Sequence, residues 1–379
     1  MLKIKEKLSF AAGHLDVIGL FLVAIALPLS EGLKNIGIAI AFLGFILNLY
    51  YKKKSIIITP FGWGLIAIFL SGLISTIVAL NKSASVKGLW DISRYSLLFF
   101  IAANCIDKEY KIKVLQWGLL LSLVAGGLWG MVAIPWGKPL EILSLGQFNH
   151  TGIYIAIMLS MTLSILIFTK NFLEKIFSIC IFLILLISLF LTTSRGSFVG
   201  FGMAMVTILV FYKSPLKNRK AQILLLLLFI GIGGYFYSPL NVKTGSFDSN
   251  RFKLWKLSVK TFQEHPIAGI GLNNYYLSGH EFAGFRHAHN LYLNTAVQTG
   301  VIGLTALAIT IAGAFLVLQK TKTLKEAEGI RQILWFSALG AYAVVLVSGL
   351  FNTTLHHEHG MLFTMLFGML VSCSRFEDS

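Results

Sequence analysis

The chain has 379 residues, of which 56% are hydrophobic and 13% charged, with a formal net charge of +16. Soluble domains carry roughly 25% charged residues, so this composition and a mean hydropathy of +0.77 exclude an ordinary soluble protein. No basic domain or nucleic-acid motif accompanies the positive charge, which excludes a nucleic-acid partner as its explanation.

A bilayer crossing needs roughly 20 apolar residues, and apolar runs of about that length recur along the chain. The first, MLKIKEKLSFAAGHLDVIGLFLVAIALPLS, has a basic start but no small-residue cleavage site, so an uncleaved first span is expected. Twelve spans are predicted: 14–30, 35–51, 60–80, 90–106, 114–134, 149–169, 172–192, 197–212, 221–238, 291–318, 331–350 and 359–373. The predicted fold class is an all-α integral membrane protein of one polytopic domain, 1–379, surrounded by membrane lipids. One large polar loop, 239–290, separates the ninth and tenth spans. Cys105, Cys180 and Cys373 lie in or beside apolar spans without metal spacing and read as small buried side chains.

Alternate connections differ in charge. The termini and the connections on their side hold 20 of the 32 lysines and arginines, which marks that side as cytoplasmic. Both termini then lie inside and the 239–290 loop lies outside. Of nine histidines, only His14 falls on the cytoplasmic side; the rest fall at or near the outer face, which points to chemistry there.

Taken in order, the outer connections hold several polar groups. Asp91 and Arg94, three apart at a helix start, read as a local ion pair worth tenths of a kcal/mol. Gln147, Asn149, His150 and Thr151 cluster before the sixth span, either as helix caps or as a rim that hydrogen-bonds a polar ligand. Arg195, flanked by Thr192, Thr193, Ser194 and Ser197, lies on the side that the charge bias disfavours. An ionisable residue inside the spans is costly to bury, so an anion site is the reading preferred over a snorkelling arginine.

In the long loop, Asp248-Ser249-Asn250 offers N-caps for a helix that Pro266 stops. Phe252, Trp255, Val259 and Phe262 form an apolar stripe on that helix, which predicts an amphipathic element resting on the bundle or the membrane. Arg251 in the first turn opposes the helix dipole and calls for an anionic partner, either a phosphate or a lipid headgroup. IAGIGLNNYY lacks the third glycine of a dinucleotide fingerprint and reads as a tight turn. Arg286-His287-Ala288-His289-Asn290 precedes the tenth span. At a helix N-terminus His289 stays neutral, as a general base must, although a capping or interfacial histidine fits the same spacing. The last cluster, His356-His357-Glu358-His359, is not HExxH, and adjacent histidines on one helix do not readily share an ion, so no metal is expected.

The arginine of TTSRGS, the R-x-x-x-W helix of RFKLWKLSVKTFQEHP and the segment HAHNLYLNTAVQTGVIGL, in this order, resemble the O-antigen ligase and polymerase superfamily of bacterial membrane glycosyltransferases. The resemblance covers nearly the whole chain. It implies transfer of glycan from undecaprenyl-diphosphate to an acceptor sugar on the outer, periplasmic face of the inner membrane, without cofactor, metal or nucleotide. Arg195 and Arg251 would bind the donor diphosphate and His289 would activate the acceptor hydroxyl, with Asn149, Arg286 and His287 as further substrate contacts. The acceptor expected for a ligase is the lipid A-core oligosaccharide; a polymerase would extend the lipid-linked glycan instead. A twelve-span transporter or flippase is the reading from another class, and the absence of a visible internal repeat disfavours it.

Overall fold

The structure, a computed structural model, describes residues 2–52, 56–135, 137–212, 245–278 and 285–376. Among these residues the chain forms twelve α-helices and no strand. They are α1 Leu2–Ala26, α2 Glu31–Lys52, α3 Pro60–Ile77, α4 Lys82–Cys105, α5 Glu109–Ala133, α6 Phe148–Phe168, α7 Phe172–Leu191 and α8 Arg195–Phe211, followed by α9 Gly245–Glu264, α10 Leu291–Lys320, α11 Ile330–Ser348 and α12 His357–Cys373. Eleven of the twelve predicted spans coincide with one of these helices; the ninth, 221–238, lies outside the described residues. Seven helices, α2, α3, α5, α6, α7, α10 and α11, are long and apolar enough to cross a membrane.

Helix ends follow local chemistry. Pro60 opens α3 behind Thr59, whose hydroxyl accepts from Gly62 N–H. Asn81 caps α4 and Asn290 caps α10 through the same kind of bond. The antiparallel pairs α1–α2 and α3–α10 pack side by side, while α6 and α12 sit innermost. Both inner helices are apolar on every side, the pattern of a helix enclosed by others. Outer helices keep large apolar side chains on the surface, as Trp63, Leu183 and Phe315 do. Cys180 is among the exposed residues, which corrects the expectation that all three cysteines are buried: its side of α7 faces away from α6.

The connections at one end of the bundle are tied to each other. Leu80 N–H donates to Ile270 O, Leu140 N–H to Leu191 O, Ser144 N–H to Pro28 O, and Leu291 N–H to Gly349 O. Gly300 (φ 63°) breaks α10 within its length. The IAGIG turn fills the break: Ile270 and Gly271 N–H donate to Val297 and Gln298 carbonyls, and Val301 N–H donates to Pro266 O. Gly269 (φ 69°) and Gly271 (φ 106°) permit that approach, since a Cβ on Gly269 would lie 2.4 Å from the Gln298 backbone. The expected tight turn is therefore a splice that supplies the kinked helix with hydrogen bonds from outside.

Two expectations for α9 change. The helix starts at Gly245, so Asp248, Ser249 and Asn250 lie inside it and Arg251 sits in its second turn. No proline interrupts that stretch, and polar residues in a helix interior cost only tenths of a kcal/mol each. Its buried face is Leu254, Ser258 and Thr261, not the aromatic stripe; Phe252 and Val259 are exposed. Small side chains allow close approach, and Ser258 finds a partner: its Oγ lies 2.9 Å from Tyr275 Oη, and the Tyr275 hydroxyl is 3.2 Å from Leu254 O.

Candidate active site

The tied end of the bundle encloses a cleft of about 1130 Å³. Its walls come from the starts of α2, α6, α10 and α12, from mid-α4, and from the connections before α6, α10 and α12. Six histidines gather there. The ring centre of His150 lies 5.8 Å from His287, 6.1 Å from His356, 5.8 Å from His357 and 5.2 Å from His359. His287 is in turn 4.7 Å from His289. His265 is exposed on the chain beyond α9, and His280 lies outside the described residues.

His289 immediately precedes the N-cap of α10 and adopts φ 49°, a left-handed conformation that non-glycine residues rarely take. Its neighbours hold it there. Trp255 Nε1 on α9 donates to Ala288 O at 3.2 Å, Ala288 N–H donates to Asn294 Oδ1, and Asn290 Nδ2 donates to Leu350 O at 3.0 Å. Leu355 (φ 56°) in the α11–α12 connection and His357 (φ 43°) at the first position of α12 carry the same kind of strain. Such strain persists only where the surroundings over-determine it, and it concentrates at functional sites.

Burial is the main reason that His289 is pushed down to about 3, with His287 and Arg251 adding to it and the Asn352 amide opposing. His287 is lowered to about 4 by burial and by Arg286, and burial holds His356 well below its ordinary value. The rings are therefore neutral across the physiological range and able to accept a proton or a ligand.

A charge network, largely buried except at Glu31, forms another wall. Lys34, fully buried, pairs with Glu31 and with Glu358. Arg94 pairs with Glu31 and Asp91 and donates to Asn35 Oδ1 at 3.0 Å. The Asp91–Arg94 pair anticipated as a local surface contact is thus part of a cross-helix network, because α2 packs its charged first turn against α4. Glu358, which sequence left without a role, is anchored by a lysine 324 positions away.

The structure brings Arg286, His287 and His289 to the cleft surface. Arg251, half-buried on α9, is within electrostatic reach of His289 but is not a lining residue. Arg195 is the first residue of α8; its neighbour Gly196 packs against Phe351 and Asn352, and Asn352 adjoins His289. Asn149 does not reach the cleft: it is buried, and its Oδ1 accepts from Ser194 Oγ at 3.0 Å, beside Arg195. Thr151 ties the connection before α6 through Gly146 O and Ile142 N–H. Asn352, missed in the sequence, is 2% exposed, and its amide acts directly on His289. Its place in FNTTLHHEHG beside a polar cluster was the available signal.

A protein of Haemophilus influenzae described as uncharacterized is 25% identical over 284 residues, 64% of this chain and 68% of that one. Residues 180–308, a segment that contains Arg195, Arg251 and His289, match the model of the family described as O-antigen ligase.

Proposed function

We propose that the protein is an O-antigen ligase of the bacterial inner membrane. It would transfer glycan from undecaprenyl-diphosphate to a sugar hydroxyl of the lipid A-core oligosaccharide. The observation that carries this reading is the placement of a buried, neutral His289 on the wall of a large polar cleft, next to Arg251. With the termini and their connections cytoplasmic, the cleft faces the periplasm, where both lipid-linked substrates can meet.

In the proposed reaction the acceptor oxygen attacks the anomeric carbon of the donor sugar. The bond from that carbon to the diphosphate oxygen breaks, and undecaprenyl-diphosphate leaves with the electron pair. His289 takes the hydroxyl proton. Arg251 and Arg195 neutralise the leaving diphosphate, Arg251 through a bidentate fork that a lysine does not offer. Because the leaving group is already activated, positioning and charge stabilisation supply most of the acceleration.

The low basicity of His289 fits this order of events. In the free protein, Arg251 is one of the groups that depress it. A diphosphate bound to Arg251 acts in the opposite direction, so the ring becomes a better base once the donor is in place. Asn149, buried beside Ser194, then supports the α8 start that carries Arg195 and does not touch substrate.

Purified protein, undecaprenyl-diphosphate-linked glycan and lipid A-core, combined without nucleotide, test the proposal. Glycan should appear on lipid A-core with wild type and not with His289→Ala. Longer lipid-linked chains in place of that product would identify a polymerase, and equal product from the variant would remove His289 from the base role.

A further inference from the structure

We infer that His150, His356 and His357 form a binding site for a divalent first-row transition ion, with zinc the best match. The three rings each offer a nitrogen, and these atoms lie within 4.8 Å of one another. Around a tetrahedral zinc with Zn–N of about 2.0–2.1 Å, ligand nitrogens stand about 3.4 Å apart, so small side-chain rotations bring this set into range.

Several independent features favour a cation there. Nδ1 of His356 is buried and has no hydrogen-bond partner, a state that native proteins rarely leave uncompensated. His357 Nδ1 faces Asp91 Oδ2 at 3.8 Å, the start of the carboxylate–histidine–metal relay that orients ligating imidazoles. The charge network behind the rings sets the carboxylates of the exposed Glu31, the largely buried Asp91 and the buried Glu358 against the cations Lys34 and Arg94, a formal excess of one negative charge. That excess offsets the positive ends of α6 and α12, which also point at this spot.

All three histidines line the cleft, so the ion keeps an open position toward it, as catalytic zinc sites do and closed structural sites do not. Imidazole donors select zinc, copper or nickel over magnesium. The expectation of a metal-free cluster arose because His356 and His357 are adjacent in sequence. The third ligand comes from a residue some 200 positions earlier, at the start of a different helix. The glycosyl-transfer scheme does not pass through the ion, and the two readings fail separately, since metal binding is measured without substrate.

The test uses tag-free full-length protein in detergent, stripped with chelator and equilibrated with zinc. One zinc per chain should be retained, undisplaced by excess magnesium, and X-ray absorption should show three imidazole ligands and an oxygen. His150→Ala and His356→Ala should each weaken zinc at least tenfold, and Asp91→Asn about tenfold to hundredfold. Zinc retained equally by the His150→Ala/His356→Ala double variant would overturn the site. Should the variants fail to fold, the wild-type spectrum decides alone: sulfur ligands or fewer than three imidazoles would overturn it as well.

Discussion

At the scale of single residues, the chemistry concentrates on rings that the fold keeps uncharged. His287 at about 4 and His289 at about 3 lie below the ordinary histidine value of 6.5. The unfolded chain binds protons that the folded rings refuse, so stability is whole above pH 6.5, is lost progressively as pH falls from 6.5 toward 4 and 3, and levels off below. Thermal stability should therefore drop between pH 6.5 and 4, and His289→Gln should make that fall shallower; an unchanged slope would show that the ring titrates normally. Under the proposed function, Arg251→Lys keeps the charge and loses the fork, so it should raise the donor concentration needed for half-maximal rate while leaving acceptor dependence alone. An unchanged donor profile would argue against diphosphate binding at α9.

At the scale of elements, the break in α10 and the charge network behind the cleft carry the predictions. A Cβ on Gly300 would sit 2.2 Å from Ile267 O at a φ of 63°. Gly300→Ala should therefore cost at least about 1–3 kcal/mol, whereas Gly32→Ala, where nothing lies within 4 Å, serves as a neutral control in the same melting experiment. Lys34, itself without exposed surface, answers the buried Glu358 and the exposed Glu31. Lys34→Met should destabilise by about 3–5 kcal/mol because it strands buried charge, and adding Glu358→Leu should recover part of the loss. Additive losses in the double variant would mean that the pair is not coupled. The outward Phe252 and Val259 of α9 are explained by the same packing: Leu254, Ser258 and Thr261 allow the closer approach.

For the whole molecule, the arrangement of helix ends makes a topology prediction. In a cysteine-free background, Lys138→Cys near the cleft end should react with an impermeant maleimide from the periplasm. Lys322→Cys, in the α10–α11 connection, should react only after the inner membrane is opened. Labelling of Lys322→Cys from outside would invert the proposed orientation, and with it the side on which the cleft opens.

What the sequence by itself determined is local. Apolar runs long enough to satisfy their own backbone in lipid must be helices, so the all-α class and the positions of eleven helices followed from transfer energetics alone. The unusual polar residues, Arg195, Arg251 and His289, stood out against that apolar background for the same reason. Tertiary structure alone decided which distant residues meet. His150 joins His356 and His357, Lys34 reaches Glu358, and Asn149 turns inward to Ser194, away from the cleft. Those encounters depend on how the helices pack and where their ends converge. Periodicity along a single helix carries no record of which neighbour its polar face will find.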